Sequence, residues 1–156
     1  MIPMEMPEMI TDIERQISQR LSDCDTIYSD VIGHGIYLVD INRFQILRDR
    51  LGESLEQHCF TEQEQLNSFV GNRRLHFFAG RLAGKNAVVK ALGRDNVPEN
   101  AWRSIDIQKL PSGQPSVVLK DDVRNAAHQL GVQTWFLSIS HTSAYAVASA
   151  IALRPH

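Results

Sequence analysis

Three basic residues follow one another in the segment FAGRLAGKNAVVKALG, residues 78–93. Arg81 and Lys85 are four positions apart, which places them on one face of a helix, and Lys90 follows five positions later. Cations beside small Gly and Ala residues can hold a phosphate group. The same pattern is also typical of the solvated face of an amphipathic helix, so the spacing alone leaves both interpretations open.

A second group of polar side chains lies in SISHTSAYA, residues 138–146. The hydroxyl groups of Ser140 and Thr142 flank the imidazole of His141, and such a cluster can bind a phosphate or the edge of a base. Ser and Thr at a hairpin turn can equally bond only to their own backbone. His141 has no nearby acidic partner and no nucleophile motif, which argues against a hydrolase triad.

A third candidate is the pair Arg43 and Arg50, seven positions apart in a segment that is predicted to be helical. Two cations on one side of a helix suit an acidic helix of another protein. A plain exposed helix face is the alternative.

The elements that position these residues follow from hydrophobic periodicity. The apolar, β-branched run at residues 31–41 predicts a buried strand. Thr61 and Glu64 have the spacing of a capping box, and Gly93 and Gly131 are expected to end helices. The predicted helices are 42–58, 61–70, 75–92 and 121–130, and the further strands are 102–110, 116–119, 134–140 and 144–153, the last two joined as a hairpin.

The N-terminal part predicts one further helix, at residues 9–21, preceded by a frayed start at residues 1–9. Thr11 or Asp12 could cap this helix. Its apolar residues lie on one stripe, and they are Ile10, Ile13, Ile17 and Leu21. We therefore expect an N-terminal extension with one helix at residues 1–30 and a single α+β domain at residues 31–156.

Composition excludes several classes of function. The chain has 156 residues, 43% of them hydrophobic, and a net charge of −2, so no global field attracts nucleic acid or an anionic membrane. No apolar run is long enough to cross a bilayer, and the first residues do not form a signal peptide. Cys24 and Cys59 match no metal or redox spacing, so free thiols of a cytoplasmic protein are expected.

Five segments, taken in order, resemble the holo-acyl-carrier-protein synthase family of 4′-phosphopantetheinyl transferases. They are GHGIYLVDINRF, SLEQHCFTEQEQ, FAGRLAGKNAVVKALG, LPSGQPSVVL and LSISHTSAYAVASAIA. The similarity spans residues 31 to 153. It implies an α+β fold with an antiparallel sheet and packed helices, a homotrimer with clefts between subunits, and transfer of phosphopantetheine from coenzyme A to a serine of an acyl carrier protein.

The resemblance also implies roles for single residues. The positions that would contact coenzyme A or its phosphopantetheine arm are Arg81, Lys85, Lys90, Ser140, His141 and Thr142. Arg43, Leu47 and Arg50 match the helix that docks the acidic recognition helix of the carrier protein. A fatty-acid or polyketide pathway is the context that the family implies.

Two acids of the family's metal site are replaced in this chain. An ungapped match places Tyr37 and Asn86 at these positions. Asp40 falls three residues too late to stand in for the first. Because Mg²⁺ prefers anionic oxygen ligands, a phenol and a carboxamide predict weak or absent magnesium binding.

Three hypotheses follow from this loss. The first is a functional phosphopantetheinyl transferase with a remodelled site, and the second is a non-catalytic module that binds a carrier protein or its arm. The third is an enzyme repurposed to act on acyl groups attached to the carrier, in which Tyr37, His34 or His141 acts as an acid or base. The sequence favours the last two together. The candidate catalytic residues are Tyr37, Asn86, Lys90 and His141.

Overall fold

The computed structural model of the protein describes residues 11–19 and 30–155. The chain divides into two units, Met1–Val31 and Ile32–His156. In the first unit, residues 11–19 form helix α1, on which Ile13 and Ile17 are exposed. The frayed start predicted at residues 1–9, the ends of the predicted helix 9–21 with Ile10 and Leu21, and Cys24 lie outside the described residues.

The second unit alternates helices with antiparallel strands. A strand and four helices come first: β1 (Val31–Asp40), α2 (Ile41–Leu51), α3 (Glu53–Cys59), α4 (Glu62–Leu66) and α5 (Asn72–Leu92). The chain continues through two short 3₁₀ turns, Arg94–Asn96 and Ala101–Ser104, into β2 (Ile105–Lys109), β3 (Pro115–Leu119), α6 (Asp121–Leu130), β4 (Thr134–His141) and β5 (Tyr145–Leu153). No helix in the described part of the chain combines the length and the hydropathy needed to span a bilayer.

The helix predicted at residues 42–58 is broken into α2 and α3, so the prediction of one continuous helix is wrong. Gly52 lies between them with φ 56° and ψ −137°, a conformation outside the helical region, and its N–H bonds to the carbonyl of Arg48 at 2.7 Å. At the other end of α2 the carboxylate of Asp40 accepts a hydrogen bond from the backbone N–H of Arg43. Asp40 is therefore an N-cap.

The strands form two sheets. Strands β1, β5 and β4 lie in that order in a three-stranded sheet, and β2 pairs with β3 in a two-stranded sheet. The β4–β5 hairpin is antiparallel, with a register that runs from Thr134 opposite Leu153 to His141 opposite Ala146. The predicted hairpin, the capping box of Thr61 and Glu64, and the α+β fold class are confirmed.

Helix α5 packs on one face of the three-stranded sheet, which we call the inner face. Four alanines of β5 are buried there, at positions 146, 148, 150 and 152. On β1, Gly33 and Gly35 lie on the same face, and a Cβ atom at these positions would fall 1.8 Å from the carbonyl oxygen of Ala91 and 2.1 Å from that of Ala87. The backbone of β1 thus lies directly against the backbone of α5, which only glycine allows.

We expect Gly35→Ala to reduce the free energy of unfolding by about 1–3 kcal/mol, because the added methyl group must push β1 away from α5. Urea unfolding followed by circular dichroism measures the change. Ser138→Ala is the matched control, since Ser138 lies exposed on the opposite face of the same sheet. Equal stability of Gly35→Ala and wild type would show that the contact is not tight in solution.

Candidate active-site cleft

A cleft of about 1200 Å³ lies between α4, α5, the β2–β3 sheet and the end of β4. Its wall is rich in cations and imidazoles. These are Arg73, His76, Arg81, Lys109 and His141, to which Thr142 and Ser143 add hydroxyl groups. Glu64 and Asp106 also line the cleft, but the three side chains Arg73, Arg81 and Lys109 outnumber these two acids, so the lining favours an anionic ligand.

Arg81 is the most deeply placed of these cations. Its guanidinium lies 4.5 Å from the ring centroid of Phe77, and its Nε is buried with no hydrogen-bond partner in the described part of the chain. Burial lowers the pKa of Arg81, while the charges of Glu64 and Asp106 oppose that effect. A buried N–H without a partner is costly, so Arg81 is prepared to donate to an anion that enters the cleft.

Two imidazoles face each other in the cleft. The ring centroids of His76 and His141 are 5.3 Å apart. Nδ1 of His76 is 2.9 Å from the carbonyl oxygen of Asn72 and must donate to it, which leaves Nε2 of the neutral ring as an acceptor. Sequence reasoning missed His76. His76 lies four positions before Gly80, as Phe77 lies four positions before Arg81, so helical spacing places it on the same side of α5.

The cluster SISHTSAYA divides between two surfaces. His141 and Thr142 line the cleft. Thr142 also accepts hydrogen bonds from the backbone N–H groups of Ala144 and Tyr145, at 3.2 and 3.1 Å. Its hydroxyl therefore bonds to the local backbone, and its contact with a ligand stays a prediction. Ser140 pairs with Val147 on the opposite side of the strand, because neighbouring residues of a strand alternate between faces. Its predicted contact with coenzyme A stays a prediction that this arrangement does not support.

Lys85 is fully buried and lies away from solvent. Its Nζ is 2.7 Å from Oε2 of Glu64 and donates to the carbonyl oxygens of Trp102 and Ile105, each at 2.7 Å. These three partners match the three N–H donors of an ammonium group. Lys85 would have to leave them to reach a phosphate, so its predicted ligand contact is not supported by this geometry either.

Glu64 joins three elements through the same pair. Its Oε1 accepts the backbone N–H of Ile107 on β2 at 2.8 Å, and its Oε2 accepts that of Thr61 at the start of α4 at 3.0 Å. Thr61 in turn donates to Asp106 at 2.5 Å. Burial raises the pKa of Glu64, and the charge of Lys85 opposes this; burial lowers the pKa of Lys85, and the charge of Glu64 opposes that. The ion pair of Glu64 and Lys85 thus connects α4, α5 and β2, which form part of the cleft wall.

Tyr37 and Asn86, which replace the two acids of the family's metal site, lie outside the cleft. Tyr37 is on the inner face of β1, and Nζ of Lys90 is 5.5 Å from the centroid of its ring and 3.2 Å from the carbonyl oxygen of Ile36. Asn86 is buried and donates through Nδ2 to the carbonyl of Leu82 at 2.9 Å. None of Tyr37, Asn86 and Lys90 is among the described residues that line the cleft. The predicted catalytic set is therefore split.

These side chains do not fit the magnesium ion that the resemblance implies. Tyr37 and Asn86 supply no carboxylate, and within residues 11–19 and 30–155 no three His, Cys, Asp or Glu side chains are arranged to hold a metal ion. A hard divalent cation requires anionic oxygens that this position lacks.

The predicted docking residues lie together on α2. Arg43, Leu47 and Arg50 are all exposed, beside the exposed side chains of Ile46 and Leu51. The helix thus exposes two cations and several apolar side chains, together with one acid, Asp49. This surface matches the charge and shape that an acidic amphipathic helix needs.

The family model of the 4′-phosphopantetheinyl transferase superfamily matches residues 34–150. A holo-[acyl-carrier-protein] synthase of Chlamydia pneumoniae is 37% identical over 80% of this chain and 98% of its own length. The holo-[acyl-carrier-protein] synthase of Neisseria meningitidis has the same fold, with a TM-score of 0.73 at 22% identity over 80% of this chain and 99% of that one. The enzyme of Bacillus anthracis, solved in complex with coenzyme A (3′,5′-ADP), is 25% identical with a TM-score of 0.64, over 81% and 99%.

The fold and these similarities define the chain as a member of the 4′-phosphopantetheinyl transferase superfamily. Within that superfamily, it belongs to the holo-acyl-carrier-protein synthase family.

We expect Glu64→Gln to lower the free energy of unfolding by about 3–5 kcal/mol, since it leaves the ammonium of Lys85 buried without a counter-charge. Urea unfolding measures the loss. Glu62→Gln, an exposed glutamate on the same helix, should change stability by no more than a few tenths of a kcal/mol. Similar losses in both variants would contradict a special role for the buried pair.

Proposed function

We propose that the protein transfers the phosphopantetheine arm of coenzyme A to a serine of an acyl carrier protein. The observation that carries this proposal is the cleft itself, which is lined by Arg73, Arg81, Lys109 and two imidazoles, and where Nε of Arg81 has no hydrogen-bond partner among the described residues. Its volume and charge suit a nucleotide with several phosphates. The relative from Bacillus anthracis, solved with coenzyme A (3′,5′-ADP), supports the same ligand class.

In this reaction the serine oxygen forms a bond to the phosphorus next to the arm, and the bond from that phosphorus to 3′,5′-ADP breaks. The serine proton passes to an imidazole, for which His141 and Nε2 of His76 are the candidates in the cleft. Arg81, Arg73 and Lys109 neutralise the charge of the phosphates. Because Glu64 and Asp106 are held in hydrogen bonds, neither is free to act as a base.

A second candidate function is binding of coenzyme A or a modified carrier protein without transfer, or with altered chemistry on the attached acyl group. The replacement of two acids by Tyr37 and Asn86 favours it. The comparisons agree better with the transferase, because the relatives are named as holo-[acyl-carrier-protein] synthases. The expectation of altered chemistry is therefore kept as the alternative.

Mass spectrometry of an apo carrier protein incubated with this protein, coenzyme A and Mg²⁺ separates the two candidates. We expect wild type to add the mass of the arm. Tyr37→Asp with Asn86→Glu should leave the rate within about twofold of wild type, because neither side chain lines the cleft. A rise of about tenfold, which corresponds to about 1.4 kcal/mol of transition-state stabilisation, would show instead that a metal site at these two positions takes part in the transfer. Glu99→Gln, an exposed glutamate that does not line the cleft, should keep the wild-type rate.

Binding of coenzyme A without any mass gain, in wild type and in the double variant, would overturn the transferase and favour the second candidate. Calorimetry of coenzyme A with each protein supplies that binding measurement. Absence of both binding and transfer would contradict both candidates.

The proposal includes two further parts: the carrier protein docks on α2, and the chain forms a homotrimer. Support for the trimer comes from the face of the three-stranded sheet opposite α5, which we call the outer face. It exposes a row of apolar side chains, Ile36, Leu38, Phe136, Tyr145 and Val147. An apolar surface of this kind marks an interaction site. His34 and Ser149 meet on the same face, with 3.0 Å between Nε2 and Oγ, so His34 lies away from the cleft.

Phe136 is 62% exposed on this face, on the edge strand β4. We expect Phe136→Glu to convert the assembly to monomers, because a carboxylate buried in an apolar contact is costly. Analytical ultracentrifugation measures the molar mass. Gln129→Glu, which adds the same charge on the exposed surface of α6, should leave the mass unchanged. A monomeric wild type would refute the assignment.

A further inference from the structure

The carboxylate of Glu56, on α3, is shared by two arginines from different helices. Oε1 accepts from Nε of Arg48 on α2 at 2.9 Å, and Oε2 accepts from Nη2 of Arg74 on α5 at 2.6 Å. Glu56 is only 6% exposed. Burial acts to raise the pKa of Glu56, but the hydrogen bonds and charges of Arg74 and Arg48 outweigh it and lower the pKa below its ordinary value. Glu56 is therefore charged at neutral pH.

Arg74 extends this contact to the mouth of the cleft. Its Nη1 donates to the hydroxyl of Ser68 and to the carbonyl of Phe69, and its guanidinium lies 4.8 Å from the ring centroid of Phe78. Phe69 lines the cleft, and its ring meets that of Phe77 edge to face. Arg74 thus holds the cleft loop, residues 67–71, against α5.

Arg48 extends the contact in the other direction. It lies on α2, the helix that exposes Arg43, Leu47 and Arg50. Its guanidinium turns inward to Glu56 rather than outward with that group. The same carboxylate therefore fixes both the proposed docking helix and the loop that forms part of the proposed coenzyme A cleft.

We propose that Glu56 is a positioning residue that couples docking of an acyl carrier protein on α2 to binding of coenzyme A in the cleft. The inference rests on the proposed function of both surfaces. A displacement of α2 on docking changes how Arg48 competes with Arg74 for one carboxylate, and Arg74 then changes the cleft loop. Coupling of this kind is reciprocal, so coenzyme A alters carrier affinity by the same factor.

The test measures the dissociation constant of coenzyme A by calorimetry, with and without a saturating carrier protein whose acceptor serine is replaced by alanine. We expect the carrier to change this constant about fivefold or more in wild type, the lower end of measured site-to-site coupling. Glu56→Gln should abolish the change while coenzyme A still binds. Glu99→Gln, an exposed glutamate outside both surfaces, should keep it.

Arg74→Lys provides a second variant in case Glu56→Gln does not fold. It keeps the charge beside Glu56 but cannot bond to the carboxylate, Ser68 and Phe69 together, so the coupling should again be lost. Independent binding in wild type, or full coupling in a folded variant, would overturn the inference. A wild type that binds no coenzyme A would instead refute the proposed function on which the inference rests.

Discussion

The buried ion pair of Glu64 and Lys85 is the contact on which the cleft depends. It takes one charge from the short helix α4 and one from the long helix α5, and Glu64 also accepts the backbone N–H of Ile107 on β2. A buried pair of this kind is weak support for stability, because removing two charges from water is costly. Its effect is specificity. Every donor of the ammonium is occupied, so an arrangement of the three elements that separated the pair would leave a buried charge without a partner.

Much of the fold could be predicted from the sequence. The period of the hydrophobic residues located most helices and strands, and the Thr61–Glu64 spacing identified a capping box that the structure contains. Two bounds were wrong: the first residues of the strand predicted at 102–110 form a 3₁₀ turn, and the helix predicted at 61–70 ends at Leu66. The break at Gly52 was missed because a glycine within an amphipathic pattern does not by itself show whether a helix tolerates it. The close approach of β1 to α5 could not be predicted either, because a glycine in the sequence does not identify the element that packs against it.

The candidate site was less predictable, for a physical reason. The family resemblance implied that three cations of one helix contact coenzyme A. In the structure Arg81 lines the cleft, Lys85 is buried in an ion pair with Glu64, and Lys90 lies over the ring of Tyr37. Basic residues four positions apart share a face of the helix, but they need not meet the same neighbours. The partner of Lys85 is on another helix, 21 positions earlier in the chain, and only the tertiary structure reveals it.

The strand period of two has a consequence for how this molecule can vary over evolution. Ser140 and His141 are adjacent in the chain, yet one belongs to the outer face and the other to the cleft. A single inserted or deleted residue in β4 would exchange the two environments at once, moving the imidazole to the outer face and a hydroxyl into the cleft. We therefore expect insertions and deletions to be tolerated in the turns that bound this strand and not within it. A substitution within the strand, in contrast, changes only one of its two faces.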